Sequence, residues 1–205
     1  MPELNTYSKM RIMLLIPASE VDYPAIVRLA NRAYRGDGRT VGWNIEAGYL
    51  EGQRLDESLL QQELAAKPRS HLLIVRDDAD VHQGPEAGEN PKGELTGMVW
   101  LHPISDQAWH LGLLTIRPES QSRGLGRTLL AAAEEFARQQ GARRMYMSVI
   151  HLRDVLIAWY ERHGYRRTGE TEPFPYGDER FGRPTRDDLH FVVLEKEIAA
   201  AQFPD

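Results

Sequence analysis

The chain has 205 residues, a length that fits one large domain, and its hydrophobic and charged fractions of 41% and 27% are typical of a soluble globular protein. It has no cysteine, which excludes a disulfide scaffold, a thiolate zinc site and a cysteine nucleophile, and which fits the cytoplasm, where we expect the protein. The formal net charge of −5 and the short longest apolar run, residues 12–16, disfavour nucleic-acid and membrane partners.

The chain begins with a predicted strand at residues 10–16 that stops at Pro17. A helix follows, with Ser19 and Asp22 as cap-like residues and an end at the glycines of 36–38. Its apolar residues recur at the helical period and share one face: Ile26, Leu29, Ala30, Ala33 and Tyr34.

The next part predicts a loop, a second helix and a strand. Residues 39–55 are loop-like, and Asp56 can cap a helix that Pro68 ends. A strand at His71–Arg76 is followed by a long polar loop at 77–92 that contains several glycines and prolines.

The second half predicts strands at 94–102, 108–116, 145–150, 165–171 and 189–197, with helices at 124–140 and 153–163. The order β-α-α-β-β-β-α-β-α-β-β predicts a mixed sheet flanked by helices, with at least one parallel crossover around the central helix. We expect a single domain over residues 1–205, with a core at about 10–197.

The most informative segment lies between the strand at 108–116 and the next helix, and it reads Gln121-Ser122-Arg123-Gly124-Leu125-Gly126. Amide groups at a helix start lack intrahelical partners and bind phosphate, and glycines let an anion approach the backbone. A dinucleotide fingerprint would need glycine at Leu129, and a P-loop would need glycine at Gln121 and lysine at Arg127. The alternative is an ordinary glycine turn that opens a core helix.

This Q-x-x-G-x-G segment, preceded by Ile116-Arg-Pro118, resembles the cofactor signature of the GNAT superfamily of N-acetyltransferases. A second motif of that family, Y-x-[KR]-x-G-[FY], matches Tyr160-Glu-Arg-His-Gly-Tyr165 in the expected order. The resemblance covers about residues 10–197. It implies a mixed, mostly antiparallel central sheet of about seven strands, flanked by helices, with a splayed parallel strand pair. Arg153 departs from the pattern, because many members carry asparagine there.

The resemblance also implies acetyl-CoA as the acyl donor and no metal. The pantetheine arm would enter the gap between the splayed strands, and a backbone N–H near Leu114 would stabilise the oxyanion. The residues implied to contact the cofactor are Leu114, Ile116, Gln121, Ser122, Arg123, Gly124, Leu125, Gly126, Arg127, Thr128 and Tyr160.

Two side chains are candidates for proton transfer. Tyr160 is the candidate acid toward the coenzyme A sulfur, because a phenol stays protonated at neutral pH; the alternative is a half-buried packing tyrosine. His110 is the candidate base, and its alternative is a strand histidine without a catalytic role. In that case Glu46, Glu172 or bulk water is the base.

The resemblance implies transfer of acetyl to a primary amine of a small molecule or peptide by direct attack in a ternary complex. Candidate acceptor contacts are Tyr34, Trp43, Glu46 and Phe174, each of which has a packing or surface role as its alternative. Two other functions stay open: a non-catalytic acyl-CoA-binding sensor, and a nucleotide-binding protein. The seven histidines show no metal-ligand spacing, and the final strands offer an edge for a possible homodimer.

Overall fold

A computed structural model describes residues 13–36, 45–76, 94–121, 123–178, 180 and 182–198. Trp43, Ser122 and the predicted loop at 77–92 lie outside this described part. The helices within it are α1 Tyr23–Arg35, α2 Glu57–Ala66, α3 Leu125–Gln139 and α4 Asp154–Arg162. The strands are β1 Ile16–Pro17, β2 Leu50–Glu51, β3 His71–Arg76, β4 Leu95–Pro103, β5 Ala108–Ile116, β6 Arg144–Ile150, β7 Arg166–Pro173, β8 Arg183–Pro184 and β9 His190–Glu197.

A seven-stranded sheet with the order β1-β3-β4-β5-β6-β9-β7 organises the molecule. Neighbouring strands are antiparallel except β5 and β6, which are parallel and are connected through α3. The short strands β2 and β8 pair in a separate two-stranded sheet. The predicted crossover around the central helix is therefore the β5-α3-β6 unit.

The first strand differs from its prediction. Among the described residues, 13–15 are not in a strand, and β1 consists of Ile16 and Pro17, paired with Ile74 and Leu73. Pro17 was expected to end the strand, but β1 is an edge strand, where proline is tolerated because its missing N–H can face away from the sheet. The strands β2 and β8 were not predicted at all, since two residues carry no periodic signal.

The helices cover opposite faces of the sheet. On the α1–α2 face, Ile26, Leu60 and Met98 belong to one buried cluster. On the α3–α4 face, Leu129, Ile157 and other apolar side chains form a second cluster with the sheet. The apolar face predicted for α1 is the side that faces the sheet, with Ile26, Leu29, Ala30 and Ala33 buried.

Strand β5 contains a bulge. Met98 of β4 pairs with Thr115, but Trp100 pairs with Gly112, so Leu113 and Leu114 together oppose Val99. Leu113 has a φ of 48°, a strained value for a residue with a side chain. The extra residue resets the alternation of β5, and Leu114 returns to the same cluster as Leu111.

The parallel pair separates just before this bulge. β5 and β6 pair at three positions, which end with His110 opposite Tyr146. Both strands continue beyond this point, β5 to Ile116 and β6 to Ile150, without further pairing to each other. The fold thus opens a gap between the carboxyl-terminal halves of two central strands.

Candidate active site

The glycine turn at the start of α3 lies at the end of β5. Gly124 is the N-cap residue and has a φ of 77°, in the left-handed region that favours glycine. The Nε2 atom of Gln121 donates a 3.0 Å hydrogen bond to the carbonyl of Ile116, which ties the turn to the strand. The Thr128 N–H donates to the Gly124 carbonyl at 3.1 Å, so the amides of the residues between them point out of the helix end.

Both glycines leave room for a ligand beside these amides. A Cβ atom at Gly124 would have no heavy atom within 4 Å, and one at Gly126 would lie 3.7 Å from the ring of Trp159, an ordinary contact. The side chains of Arg123 and Arg127 are exposed on either side. An open helix N-terminus flanked by two arginines fits a diphosphate.

Two tyrosines from opposite faces of the sheet interact electrostatically. Tyr160 is 5% exposed and belongs to the α3–α4 cluster, whereas Tyr34 packs against the cluster on the opposite face. Burial raises the pKa of Tyr160, the nearby Tyr34 raises it further, and Arg153 acts in the opposite direction. Tyr160 is therefore a protonated phenol at neutral pH.

Burial likewise raises the pKa of Tyr34. Arg54 opposes this effect, and its guanidinium lies 5.4 Å from the centre of the Tyr34 ring. Glu46 and Arg153 also influence the ionisation of this phenol. Tyr34 therefore stays protonated, and it lies within a group of charged side chains.

Glu46 lies between two arginines. Its Oε2 atom accepts a 2.7 Å hydrogen bond from Arg35, and its Oε1 atom accepts a 3.3 Å bond from Arg153. The three side chains are 10% (Arg35), 7% (Glu46) and 8% (Arg153) exposed. Beside them, burial raises the pKa of Tyr49 to about 12, and Glu46 adds to this effect. We call Arg35, Glu46 and Arg153 the buried triad.

His110 lies on the α1–α2 face at the last paired position before the gap. Its ring centre is 4.8 Å from that of His102, and burial, followed by the charges of His102 and Lys67, lowers the pKa of His110 to about 3. The Nδ1 atoms of both histidines are buried and have no hydrogen-bond partner in the described part of the chain. His110 is therefore neutral at pH 7 and is a weak base.

Ser148 and Glu172 lie on the same face, further along the gap. Ser148 is two residues beyond Tyr146 on β6, and its hydroxyl donates a 2.8 Å hydrogen bond to the Glu172 carboxylate. Because side chains at i and i+2 of a strand share a face, Tyr146, Ser148 and Glu172 border one surface. This surface holds an exposed carboxylate next to the open strands.

The remaining predicted residues are less informative about a ligand. Phe174 is 4% exposed and packs on Phe191, with ring centres 5.7 Å apart. Leu114 and Ile116 are buried on β5 at the gap. The Thr128 hydroxyl donates to the Gly124 carbonyl at 3.3 Å.

The structure thus brings Tyr34, Glu46 and Tyr160 together and places His110 at the start of the gap. Sequence reasoning did not pair Glu46 with Arg35, which follows Tyr34 directly, or with Arg153. The only signal for Arg153 was its departure from the family pattern. Within the described residues there is no group of three histidine or acidic side chains placed to hold a metal, and no helix that is both long and apolar enough to cross a bilayer.

Known proteins resemble this chain in sequence. The sequence model of the acetyltransferase (GNAT) family matches residues 39–165, more than half of the chain. N-acetyltransferase family 8 member 3 of Mus musculus is 33% identical over 85 residues, which are 39% of this chain and 38% of that protein. Streptothricin acetyltransferase of Streptomyces lavendulae is 29% identical over 97 residues, which are 45% of this chain and 49% of that protein. The matched segment thus spans less than half the length of these curated relatives.

Solved structures resemble it in fold over most of its length. Ribosomal-protein-alanine N-acetyltransferase from Brucella melitensis has a TM-score of 0.60 at 20% identity, covering 91% of this chain and 100% of its own. PaiA N-acetyltransferase from Thermoplasma acidophilum, in complex with coenzyme A, has a TM-score of 0.58 at 18% identity, covering 91% and 99%. The predicted fold class, a mostly antiparallel sheet with one splayed parallel pair, is confirmed.

Proposed function

The chain belongs to the acetyltransferase (GNAT) family, and from this premise we propose that it transfers an acetyl group from acetyl-CoA to a primary amine of a small molecule or peptide. The prediction of an acetyl-CoA-dependent acyltransferase is confirmed at the level of the family. The acceptor, the direct attack in a ternary complex and the role of each residue are our proposal.

Acetyl-CoA, when bound, supplies an acetyl group activated as a thioester. The amides at the start of α3 would hold its diphosphate, with Arg123 and Arg127 adding positive charge. The backbone around Leu114 and Ile116 would pair with the pantetheine arm in the gap. The bulge supports this role, because it interrupts the regular register of β5 with β4 at Leu113 and Leu114, where the oxyanion donor is proposed.

Proton transfer completes the reaction. As the amine nitrogen bonds to the carbonyl carbon, the carbon–sulfur bond breaks and Tyr160 donates its phenol proton to the sulfur. The proton that the amine loses passes to water or to the exposed carboxylate of Glu172. His110, the base proposed from the sequence, borders the gap, but with a pKa of about 3 it accepts a proton poorly.

One observation carries the proposal: β5 and β6 separate after His110, and β5 then runs to an open helix start at Gly124, while two protonated tyrosines from opposite faces of the sheet interact electrostatically. A nucleotide-binding protein or a simple packing core has no need of a gap in its central strands. The nucleotide-binding alternative, a protein that binds ATP or NAD, is disfavoured by the same geometry.

The test measures thiol release from acetyl-CoA across a panel of primary amines, for the wild type and Tyr160→Phe. We expect Tyr160→Phe to lower kcat by about 10²–10⁴-fold while the Kd for coenzyme A changes by less than about threefold. Tyr165→Phe is the matched control, because Tyr165 is a buried neighbour of Tyr160 with ring centres 5.6 Å apart.

Two results would count against the proposal. Tight coenzyme A binding by the wild type without turnover of any amine would favour an acyl-CoA sensor. Equal turnover by the wild type and Tyr160→Phe would remove Tyr160 from the role of acid.

A further inference from the structure

The buried triad joins three separate parts of the chain beside the tyrosine pair. Arg35 ends α1, Glu46 lies in the segment before β2, and Arg153 is the N-cap residue of α4. Glu46 and Arg153 are 107 positions apart in sequence and yet are joined by a hydrogen bond. The contact therefore fixes the position of α4 relative to α1 across the gap.

Arg153 and Tyr160 lie on the same side of α4. They are seven residues apart, which is about two helical turns, so their side chains project in the same direction. The Arg153 N–H donates to the Ile150 carbonyl at 3.0 Å, and the Arg153 carbonyl accepts from Ile157 at 2.9 Å, so its backbone is held at the helix start. The guanidinium reaches toward Glu46 and the gap rather than into solvent.

We infer that Arg153, anchored by Glu46, is a positioning residue for acetyl transfer, and this inference rests on the proposed function. Its buried guanidinium, on the same side of α4 as Tyr160, stabilises the negative charge that appears when Tyr160 gives its proton to the sulfur. The proton moves from the phenol oxygen to sulfur as the carbon–sulfur bond breaks, and the phenolate that remains is countered by the guanidinium until it is reprotonated from water.

The charges around Tyr160 support this role. Burial and Tyr34 both oppose ionisation of Tyr160, and Arg153 is the cation that favours it. The other titratable or charged groups near this point are Tyr34, Tyr49, Tyr165, Glu46, Arg35 and Arg54. The triad itself carries one negative and two positive side chains, so the charge beside the phenol is positive.

The anchoring role of Glu46 and its electrostatic effect on Tyr160 lead to opposite expectations. A carboxylate beside the guanidinium reduces the positive field at Tyr160, so a purely electrostatic view expects faster transfer when Glu46 is neutral. If Glu46 instead holds Arg153 in place, removal of its charge slows transfer. Glu46→Gln separates these two roles because it keeps the size of the side chain.

The first experiment needs no acceptor. Coenzyme A is bound to the wild type, Arg153→Asn, Arg153→Lys and Arg162→Asn, and its thiol is titrated by the ultraviolet absorbance of the thiolate. A cysteine thiol has an unperturbed pKa of about 8.5, and free coenzyme A titrated alongside gives the reference value for its own thiol. We expect a lower value in the wild type and in Arg153→Lys, and a value about one unit higher in Arg153→Asn than in the wild type, which is a tenfold change in the ionisation constant. Arg162→Asn, at the exposed far end of α4, is the control and should match the wild type.

The second experiment measures kcat and KM for acetyl-CoA. We expect Arg153→Asn and Glu46→Gln each to lower kcat by about tenfold or more, with KM changed by less than about threefold, and Arg153→Lys to recover part of kcat. A structural role alone would lower thermal stability without moving the thiol pKa. An unchanged thiol pKa in folded Arg153→Asn, or faster transfer by Glu46→Gln, would overturn the inference. Failure of the wild type to turn over any amine, with the thiol shift intact, would instead contradict only the proposed function.

Discussion

Gly126→Val tests the assignment of the helix start as the diphosphate site. Gly126 is the second residue of α3, and a Cβ there would lie 3.7 Å from Trp159, so a small side chain fits against the protein. Side chains of a helix tilt toward its N-terminus, which places the two added methyl groups of Gly126→Val in front of the exposed amides. The variant therefore blocks a ligand and leaves the protein's own packing intact.

The magnitude follows from the bonds that are lost. A hydrogen bond to a charged group contributes about 1.5–3 kcal/mol, so the loss of one or two amide–phosphate bonds weakens coenzyme A binding by roughly 3 kcal/mol, or about 100-fold. Glycine and valine differ in helix propensity by well under 1 kcal/mol, which changes the Tm of a protein of this size by no more than roughly 2–4 °C. Gly126→Ala adds one methyl group in ordinary contact and should weaken binding by less than about tenfold.

Isothermal titration calorimetry with coenzyme A and thermal unfolding without it measure the two effects separately. Ala131→Val is the matched control, because it places the same β-branched residue at an exposed position of the same helix, away from its start. It should lower the Tm slightly and leave the Kd unchanged. Coenzyme A binding by Gly126→Val with the wild-type Kd would refute the placement of the diphosphate at these amides.

Three further outcomes are expected. Gly124→Ala, at a φ of 77° with open space around the added Cβ, should destabilise the protein without ligand by about 1–2 kcal/mol, measured by thermal unfolding. The pKa of His110 in the folded protein, about 3, lies below the unfolded value of about 6.5, so this residue's contribution to stability is lost as pH falls from about 6.5 toward 3. Denaturant unfolding at pH 7 and 4.5 should therefore show a loss of stability that is about 2 kcal/mol smaller in His110→Gln than in the wild type, and an equal loss would contradict the burial of His110. Glu172→Gln should raise KM for a cationic amine by about threefold to tenfold without changing the Kd for coenzyme A, and an unchanged KM would exclude this carboxylate from the acceptor surface.

Local signals predicted much of the fold. The bounds of β3 and β5 agree with the prediction residue for residue, because each is a short apolar run bounded by polar or turn residues. Asp56 caps α2 as expected, with its side chain accepting from the Leu59 N–H at 2.8 Å. The helix start at Gly124 was predicted from the glycine turn after Pro118, and Gly124 has the left-handed φ of 77° that favours glycine.

Features that depend on distant contacts were beyond sequence reasoning. Nothing in Leu113 and Leu114 distinguishes a bulge from a regular strand, since the bulge is a matter of register with β4. Glu46 was predicted as a carboxylate for the acceptor, a role that stays a prediction, and its two arginine partners come from separate elements of the fold. The lowered pKa of His110 likewise follows first from its burial in the fold and then from the charges of His102 and Lys67.

The side-chain amide of Gln121 affects how a long ligand binds with one end at the start of α3 and the other in the gap. The hydrogen bond from this amide to the Ile116 carbonyl connects the end of β5, which borders the gap, to the turn before α3. A nucleotide portion that docks first would then find the wall for its flexible tail already ordered, so less freedom remains to be lost when the tail enters. We therefore expect each fragment of such a ligand to bind weakly, and the intact ligand to have a much higher affinity than either fragment alone.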